Sequence, residues 1–555
     1  MTFTSYPVTF FGNVVLDDAG TIGQNYYLTL ETGNGKNGKI LYLGVAPPSQ
    51  YASGDHYTLA ANQLIYPGLL NLHTHVTWNF IPLWHGGPSA PTFTYDNRFE
   101  WQAPDCDGYH ENVSAPEYFI EAWLKAHPPA GSPLSVDILL SAFSELQAVC
   151  GGTTVIQESK NFAYSPVHDG HILIRSTADQ QDMDIPPQMW IDSAVKFYQA
   201  CSSMQGGTCQ PVSDAHPADT SSWAVDPTPS LSDWQQSYNA GTLYSALVHL
   251  SEGRFGFLNG GTKDAYSRHE FLAFKTLVES LDPTRFTASR FNMIHACGID
   301  PSDADDIAFL RNYGISVLWS PVSNMMLYSD TLNLNALLSQ GINCVLTSDW
   351  SPSGSKHVWD EAKHAEVFLT SQQGMSQGDA RRLLYRMMTV NAAAAIGKQD
   401  QMALLQEGRL ADMFVLSLAG PVAATDNAVD LLFEANDSQT SGVYTGGMLV
   451  LADTDNFTPP GFSGDFQPLP AGDGPSSASK YVNFAADGSF PGIDVTALAG
   501  AIDQAFATGG TVQVGGKPYV IQPGQFQRSK LFVTDDTPYE TYMASLENWI
   551  RAQSH

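Results

Sequence analysis

Apolar runs that stop abruptly at a polar side chain recur along this sequence. "LIYPGLLNLHTH" stops at His73 and His75, "LYSALVHLSEG" at His249, "RFNMIHACG" at His295 and "INCVLTSDW" at Asp349. A short run that is apolar throughout and closes on a polar residue predicts a buried parallel strand seen at its C-terminal end. Between such runs lie helical segments, clearest at 269–281, 303–313 and 379–396, and this alternation predicts a parallel β/α architecture. Four such strand ends meeting at one mouth predict an α/β fold of the (β/α)8, TIM-like barrel type, with its site on the C-terminal face. Residues from about 5 to 65 read differently. "VTFFGNVVLDD" and "NYYLTLETGNGKNGKILYLG" alternate apolar and polar positions around Gly and Asn turns, an antiparallel β pattern that returns at 409–416 and 442–452.

Both ends are therefore expected to build one small β-sandwich beside the barrel. The expected division is 1–65 for its first part, 66–395 for the barrel, 396–455 for its second part and 456–555 for a C-terminal extension. Within that extension "GGTVQVGGKPYVIQP" predicts a hairpin and "TPYETYMASLENWIRAQ" a terminal helix, but no function follows from either. Two insertions stand out: 201–240, rich in Ser, Pro and Asp, and 78–135, rich in aromatics, Pro and Asn. Loops on that face of a barrel carry specificity, so 78–135 is the candidate substrate lid; the alternative is an ordered surface loop.

Charge narrows the partners. A net charge of −30 argues against nucleic acid, whose phosphates demand basic surface, and no stretch approaches the roughly 18 apolar residues that span a bilayer. A small-molecule substrate is the expected partner, with a homodimer as one allowed assembly. The N-terminus lacks a basic segment followed by an apolar one, so the chain reads as cytoplasmic as written, or as secreted or periplasmic if a signal has been removed. Cys201 and Cys209 could close a disulfide, Cys106 and Cys150 could pair across loops, and Cys297 and Cys344 read as buried thiols.

His-x-His alone is weak: with 15 His in 555 residues about 0.4 such pairs arise by chance. Here the only one follows Pro67-Gly68 and an apolar stretch, and the only His-x-x-Glu, His249 and Glu252, also ends a strand-like run. Side chains two apart on a strand point to the same side, so His73 and His75 can share one ion, with His249 and Asp349 arriving from across the barrel. Neutral imidazoles with one carboxylate suit Zn²⁺, and Fe²⁺ or Mn²⁺ less decisively. Such an ion lowers the pKa of bound water from about 15.7 towards 7, and Glu252 is placed to carry a proton to a leaving nitrogen. The catalytic set is then Glu252, His295 and Asp349, where Asp349 both touches the metal and orients the nucleophile. Trp78, Asn79 and Trp84 are candidates to sandwich a flat substrate ring, with lid packing as the alternative. After Asp349, "SPSGSKHVWDEAKHA" opens a helix whose first amides could hold an anionic or carbonyl group.

In order, "PGLLNLHTH", "VHLSEG", "MIHACG", "SPVSNMMLYS" and "LTSDWSPSGS" resemble the amidohydrolase superfamily, most closely its cytosine deaminase, guanine deaminase and triazine chlorohydrolase branch. "MMTVNAAAAIG" and "LLQEGRLADMFVL" resemble the tail of those enzymes, so the likeness covers roughly residues 5–455. It implies a metal-dependent hydrolase of non-peptide C–N bonds, acting by deamination of an amino-heterocycle or guanidine-like compound through metal-bound hydroxide. The alternatives are opening of a cyclic amide and a catalytically silent scaffold. Likeness to cytosine deaminase makes His295 a hydrogen-bonding helper rather than a ligand, although five-coordinate binding stays open. A second ion would need a bridging carboxylate or Lys; Lys160 and Glu158 are the nearest candidates, and neither matches, so one ion is expected. Ser323 and Asn324 are read as orienting strand ends.

Overall fold

Strand Tyr6–Val15 pairs antiparallel with Ile22–Thr32, which pairs in turn with Ile40–Gly44, as the alternating pattern predicts. In the computed structural model the described residues are 6–33, 35–75, 78–84, 95–102, 106–129, 134–157, 173–177, 183–186, 189–196, 200–205, 208–211, 224–225, 229–258, 263–282, 290–459, 462, 465–486 and 492–553. Two later strands depart from the expected antiparallel pairing: Asp55–Thr58 and Gln63–Pro67 both run parallel to Tyr6–Val15. Met413–Ser417 then pairs antiparallel with Gln63–Pro67, and Thr440–Thr445, Met448–Asp453 and Lys480–Val482 follow. The two ends of the chain thus share one sheet. Its period of two sorts the side chains: Val14, Ile65, Met413 and Val415 pack in a small cluster of their own, while Val15, Leu64, Tyr66, Phe414 and Leu416 face the main core.

Gly68 turns the chain from this sheet into the parallel strands. A Cβ there would lie 2.1 Å from Thr154 Oγ1, so no side chain fits the crossing. Eight parallel strands then follow in chain order. Leu69–Asn71, Thr153–Ile156 and Arg175–Ser176 form one ladder; Trp190–Lys196, Leu243–Leu250, Arg290–His295, Ser316–Trp319 and Cys344–Leu346 form the other. A parallel bridge between Thr74 and Asp349 joins the first strand's end to the last. Among the described residues no ladder joins Arg175–Ser176 to Trp190–Lys196. Leu69–Asn71, Thr153–Ile156, Ser316–Trp319 and Cys344–Leu346 are buried along their length, as parallel strands covered on both faces must be.

Helices Ala265–Glu279 and Ala304–Asn312 lie where periodicity places them, but the expected helix 379–396 is broken. It divides into Gln377–Met387 and Val390–Ala395. At the break Leu70 N–H donates to the Met388 carbonyl, taking an acceptor that a continuous helix would use. Among the described residues no helix is long and apolar enough to cross a membrane. Cys106 and Cys150 are free thiols, which corrects the pairing considered for them; Cys150 is buried within helix Val136–Cys150. The side chains of Cys201 and Cys209 lie outside the described residues.

The C-terminal extension is an integral part of the molecule. It supplies the hairpin Gly510–Val514 and Lys517–Ile521 and the helix Thr537–Ala552, both expected from sequence. That helix buries Tyr539, Met543, Leu546 and Ile550, each contributing about 1.5–3 kcal/mol. Against helix Val358–Gln372 it also closes a polar cluster: Lys356 Nζ lies 2.6 Å from Asp536, Tyr539 donates to Asp360, and His364 lies 2.9 Å from Glu547 and 3.4 Å from Asp360. Burial opposes a charge on His364, but hydrogen bonds to Asp360 and Glu547 override it and raise its pKa to about 10.

A pH dependence follows from that cluster. A histidine raised above its unfolded value of about 6.5 contributes stability that is complete below that value and lost as pH climbs through about 10. The difference in unfolding free energy between wild type and His364→Gln is expected to shrink steadily from pH 6.5 to 10 in denaturant titrations. A difference that grows over this range would show that the imidazolium is not what holds the helix.

Candidate active site

The strand ends deliver the polar residues to one point. His73 and His75 follow strand Leu69–Asn71, His249 is the penultimate residue of Leu243–Leu250, His295 the last of Arg290–His295, and Asp349 lies three residues past Cys344–Leu346. Asp349 Oδ1 lies 3.2 Å from His73 Nε2 and 3.4 Å from His75 Nε2, and the His249 and His75 Nε2 atoms are 3.4 Å apart. Two overlapping groups, His73 with His75 and His249, and His73 with His295 and Asp349, each bring their donor atoms within 4.8 Å of one another. The backbone is strained here. Ser251, His295, Ala296 and Asp349 all adopt the left-handed region, with φ from 57° to 66°, a conformation costing about 1–3 kcal/mol for a side-chain-bearing residue.

Hydrogen bonding decides what these rings offer. His73 Nδ1 lies 2.8 Å from Gln157 Oε1, and a carbonyl oxygen only accepts, so Nδ1 carries the proton and Nε2 turns a lone pair inward. That Nε2 has no hydrogen-bond partner among the described residues and faces the Asp349 carboxylate, acceptor against acceptor. His249 is held neutral: burial, then the neighbouring imidazoles of His73, His75 and His295, push its pKa well down. Buried acceptors converging without a donor are unfavourable unless a cation satisfies them. Imidazole nitrogens and one carboxylate are the donor set of a zinc-type ion, and the residues present fit one.

Glu252 stands beside this cluster. Its Oε1 accepts from Tyr328 Oη at 2.7 Å, and its Oε2 lies 3.7 Å from His295 Nε2. Burial and then the Glu252 charge push the Tyr328 hydroxyl well up, so it remains a donor. His295 Nδ1 lies 3.1 Å from Asn324 Oδ1, and burial pushes its pKa down against the pull of Glu252 and Asp349. Asp349 Oδ2 accepts from Ser323 Oγ at 2.7 Å. Above the cluster opens a cavity of about 740 Å³, with His75, His249, Glu252, His295 and Asp349 at its floor and Trp78, Trp101, Tyr109 and Trp350 on its walls.

Trp78 lines this cavity, but Asn79 and Trp84 do not. Asn79 is buried, accepting from Ser351 N–H and Ser351 Oγ and so pinning the segment after Asp349; Trp84 packs against Tyr95, Trp101 and Tyr109. The helix after Asp349 also differs from expectation. It starts at Val358, where the His357 side chain accepts from Asp360 N–H, and the amides of Ser353, Gly354 and Lys356 are bonded within the segment, so none is presented to a ligand. Glu158 and Lys160, the candidates for bridging a second ion, lie outside the described residues. Gln157, Tyr328, Trp101 and Trp350 were not singled out. Gln157 follows the short β-branched run "TTVI", whose two threonines make it a weaker form of the signal that selects the histidines.

Comparison with known proteins places the segment that carries two of these residues. Residues 260–450 match the amidohydrolase family. The 5-methylthioadenosine/S-adenosylhomocysteine deaminase of Thermococcus onnurineus (strain NA1) is 31% identical over 159 residues, 28% of this chain and 37% of that protein. The chain thus spans little more than a third of the length of that curated relative. Among solved structures, an adenosine deaminase from Xanthomonas campestris with bound zinc aligns with TM-score 0.50 at 14% identity, covering 80% of this chain and 93% of its own. Atrazine chlorohydrolase from Arthrobacter aurescens TC1, complexed with zinc, aligns with TM-score 0.50 at 17% identity over 82% of this chain and 96% of its own. Both likenesses are of fold. The matched residues 260–450 bring His295 and Asp349 to the cluster, and the chain has a TIM-barrel-like α/β fold.

Proposed function

We propose that this chain is a metal-dependent hydrolase of non-peptide C–N bonds, and that its reaction is hydrolytic deamination of an amino-heterocycle or guanidine-like compound. The observation that carries the reading is the convergence of ligand-type atoms from His73, His75, His249 and Asp349 on one point, with the Glu252 carboxyl beside them. The first three histidines and Asp349 would hold one divalent ion, best zinc by donor chemistry. When bound, such an ion supplies Lewis acidity that brings the pKa of water from about 15.7 towards 7. In this reading residues 66–395 form the catalytic barrel, 1–65 and 396–455 a sandwich built from both ends, and 456–555 an extension that reaches the cavity mouth.

The protein's own groups then have distinct tasks. Gln157 fixes the His73 tautomer, so Nε2 stays available as a ligand. Ser323 anchors Asp349 Oδ2 and leaves Oδ1 turned to the histidines. Tyr328 holds Glu252 Oε1, leaving Oε2 to take a proton from water and deliver it to the leaving nitrogen. His295, 3.7 Å from that oxygen and anchored through Asn324, is the hydrogen-bonding helper that polarises the substrate. Trp78 and Trp350, with ring centroids 5.4 Å apart, offer walls for a flat ring.

Elemental analysis tests the ligand set. His73→Ala, His249→Ala and Asp349→Asn are expected to lose bound metal and all turnover, while Gln157→Leu weakens metal affinity about 10–100-fold, the usual scale for a partner behind a ligand. Full occupancy with full activity in His249→Ala would sink the site. Glu252→Gln is expected to retain metal while kcat falls about 100-fold or more; turnover within a few-fold of wild type would mean that another group moves the proton. Screening amino-heterocycles and lactams for product separates the chemistries: ammonia without ring opening marks deamination, and a new carboxylate marks cyclic-amide hydrolysis.

A further inference from the structure

One wall of the cavity has a chemistry of its own. Trp101, Tyr109 and Trp350 form a corner of rings, with centroid separations of 5.0, 6.2 and 6.5 Å, all lining the open volume. Glu117 projects into the same space from helix Ala115–Ala126 and is only 8% exposed. Charges nearby are already matched: Lys125 lies 3.0 Å from Glu121, and Arg98 lies 2.9 Å from Glu270. Among the described residues no Lys or Arg pairs with Glu117. Burial raises its carboxyl to about 8, against the opposing pull of the Trp78 indole N–H nearby. Tyr109 senses it, its hydroxyl pushed up by burial and then by the Glu117 charge.

We infer that this wall is a subsite for a cationic group on the substrate, a protonated amine or guanidinium, seated on the Trp101, Tyr109 and Trp350 rings with Glu117 as its counter-ion. This deepens the hydrolase reading and rests on it for the word substrate, although the binding itself does not. Aromatic faces attract a cation, most strongly where it is desolvated. A buried carboxylate left without a cation is unfavourable, and a ligand cation supplies what the protein does not. A neutral ring of the same shape satisfies the stacking alone.

A matched pair of probes tests the inference: benzylamine, protonated below its high pKa, and benzyl alcohol, its neutral counterpart. Each is titrated calorimetrically into the zinc-loaded full chain at about pH 8.5, where a carboxyl with pKa about 8 is mostly ionised. Benzylamine is expected to bind at least about tenfold more tightly than benzyl alcohol. Glu117→Gln should bring the two within about twofold and leave benzyl alcohol unchanged, while Glu121→Gln, whose carboxylate Lys125 neutralises, should preserve the ratio. Melting temperature and zinc content verify that each variant is folded; if Glu117→Gln is not, Glu117→Asp replaces it and should also reduce the ratio. Equal affinities in wild type, or an unchanged ratio in the folded Glu117 variant, would overturn the inference. The outcomes separate from those of the hydrolase reading: charge preference without ammonia release from any amino-heterocycle retains the subsite and removes the deaminase, and the converse does the opposite.

Discussion

The seam between the first and last parallel strands is the constraint on which the rest depends. At Thr74 and Asp349 the two strand ends meet as a parallel bridge, with Asp349 N–H donating to His73 O and His75 N–H to Asp349 O. Just below, the Asn71 side chain donates to Ser348 Oγ and accepts from the Ser348 backbone N–H. Because side chains two apart on a strand share a face, closing this seam fixes His73 and His75 against Asp349 at once. The remaining histidines need only come from the next ladder, and its register brings His249 beside Ile294 and Leu250 beside His295. A slip of one residue at any of these pairings would turn a ligand away from the centre.

Much of this was legible in the chain because a buried parallel strand leaves a strong trace: a short apolar run with a polar residue at its end. The histidines, Asp349 and Glu252 obey that rule, and Gln157 follows it more weakly. What the rule cannot reach is determined by tertiary contacts. The alternation in residues 5 to 65 implied antiparallel neighbours, yet period two is the same for a parallel pair, and Gln63–Pro67 lies parallel to Tyr6–Val15. The helical pattern of 379–396 carries no sign that Leu70, some 320 residues earlier in sequence, will take the Met388 carbonyl. Asn79 and Trp84 looked like substrate contacts by composition and neighbourhood, but the backbone after His75 turns both into the core and leaves only Trp78 in the cavity. Glu117 gave no signal, since a lone Glu on a helix usually faces solvent.

The insertion after the first strand and the C-terminal extension are parts of one wall. Helix Ala115–Ala126 from the insertion packs against the hairpin Gly510–Val514 and Lys517–Ile521 from the extension. Gly510 lies so close to Phe119 that a Cβ would come within 2.7 Å of its ring, and Lys517 and Tyr519 both reach Asp107. Val514 and Gly515 complete the cavity rim. The segment beyond residue 455, whose role had no reading from sequence, therefore contributes to the cavity rim.

Strain at the centre is held by the same hydrogen bonds that build it. Asp349 is left-handed, and its N–H is tied to His73 O. His295 and Ala296 are left-handed, and Ala296 N–H donates to Leu250 O while Cys297 N–H donates to Ser251 O. Ser251 is left-handed, and its N–H is gripped at 2.6 Å by Glu270, which is itself paired to Arg98. Each strained residue is over-determined by a neighbouring strand end, so no single turn can relax without its neighbour. Loops alone would let the histidines swing away from one another, because acceptors facing acceptors repel. A ring of interlocked strand ends keeps them in place, and the arrangement that looks least favourable in isolation is the one that the scaffold holds ready for a cation.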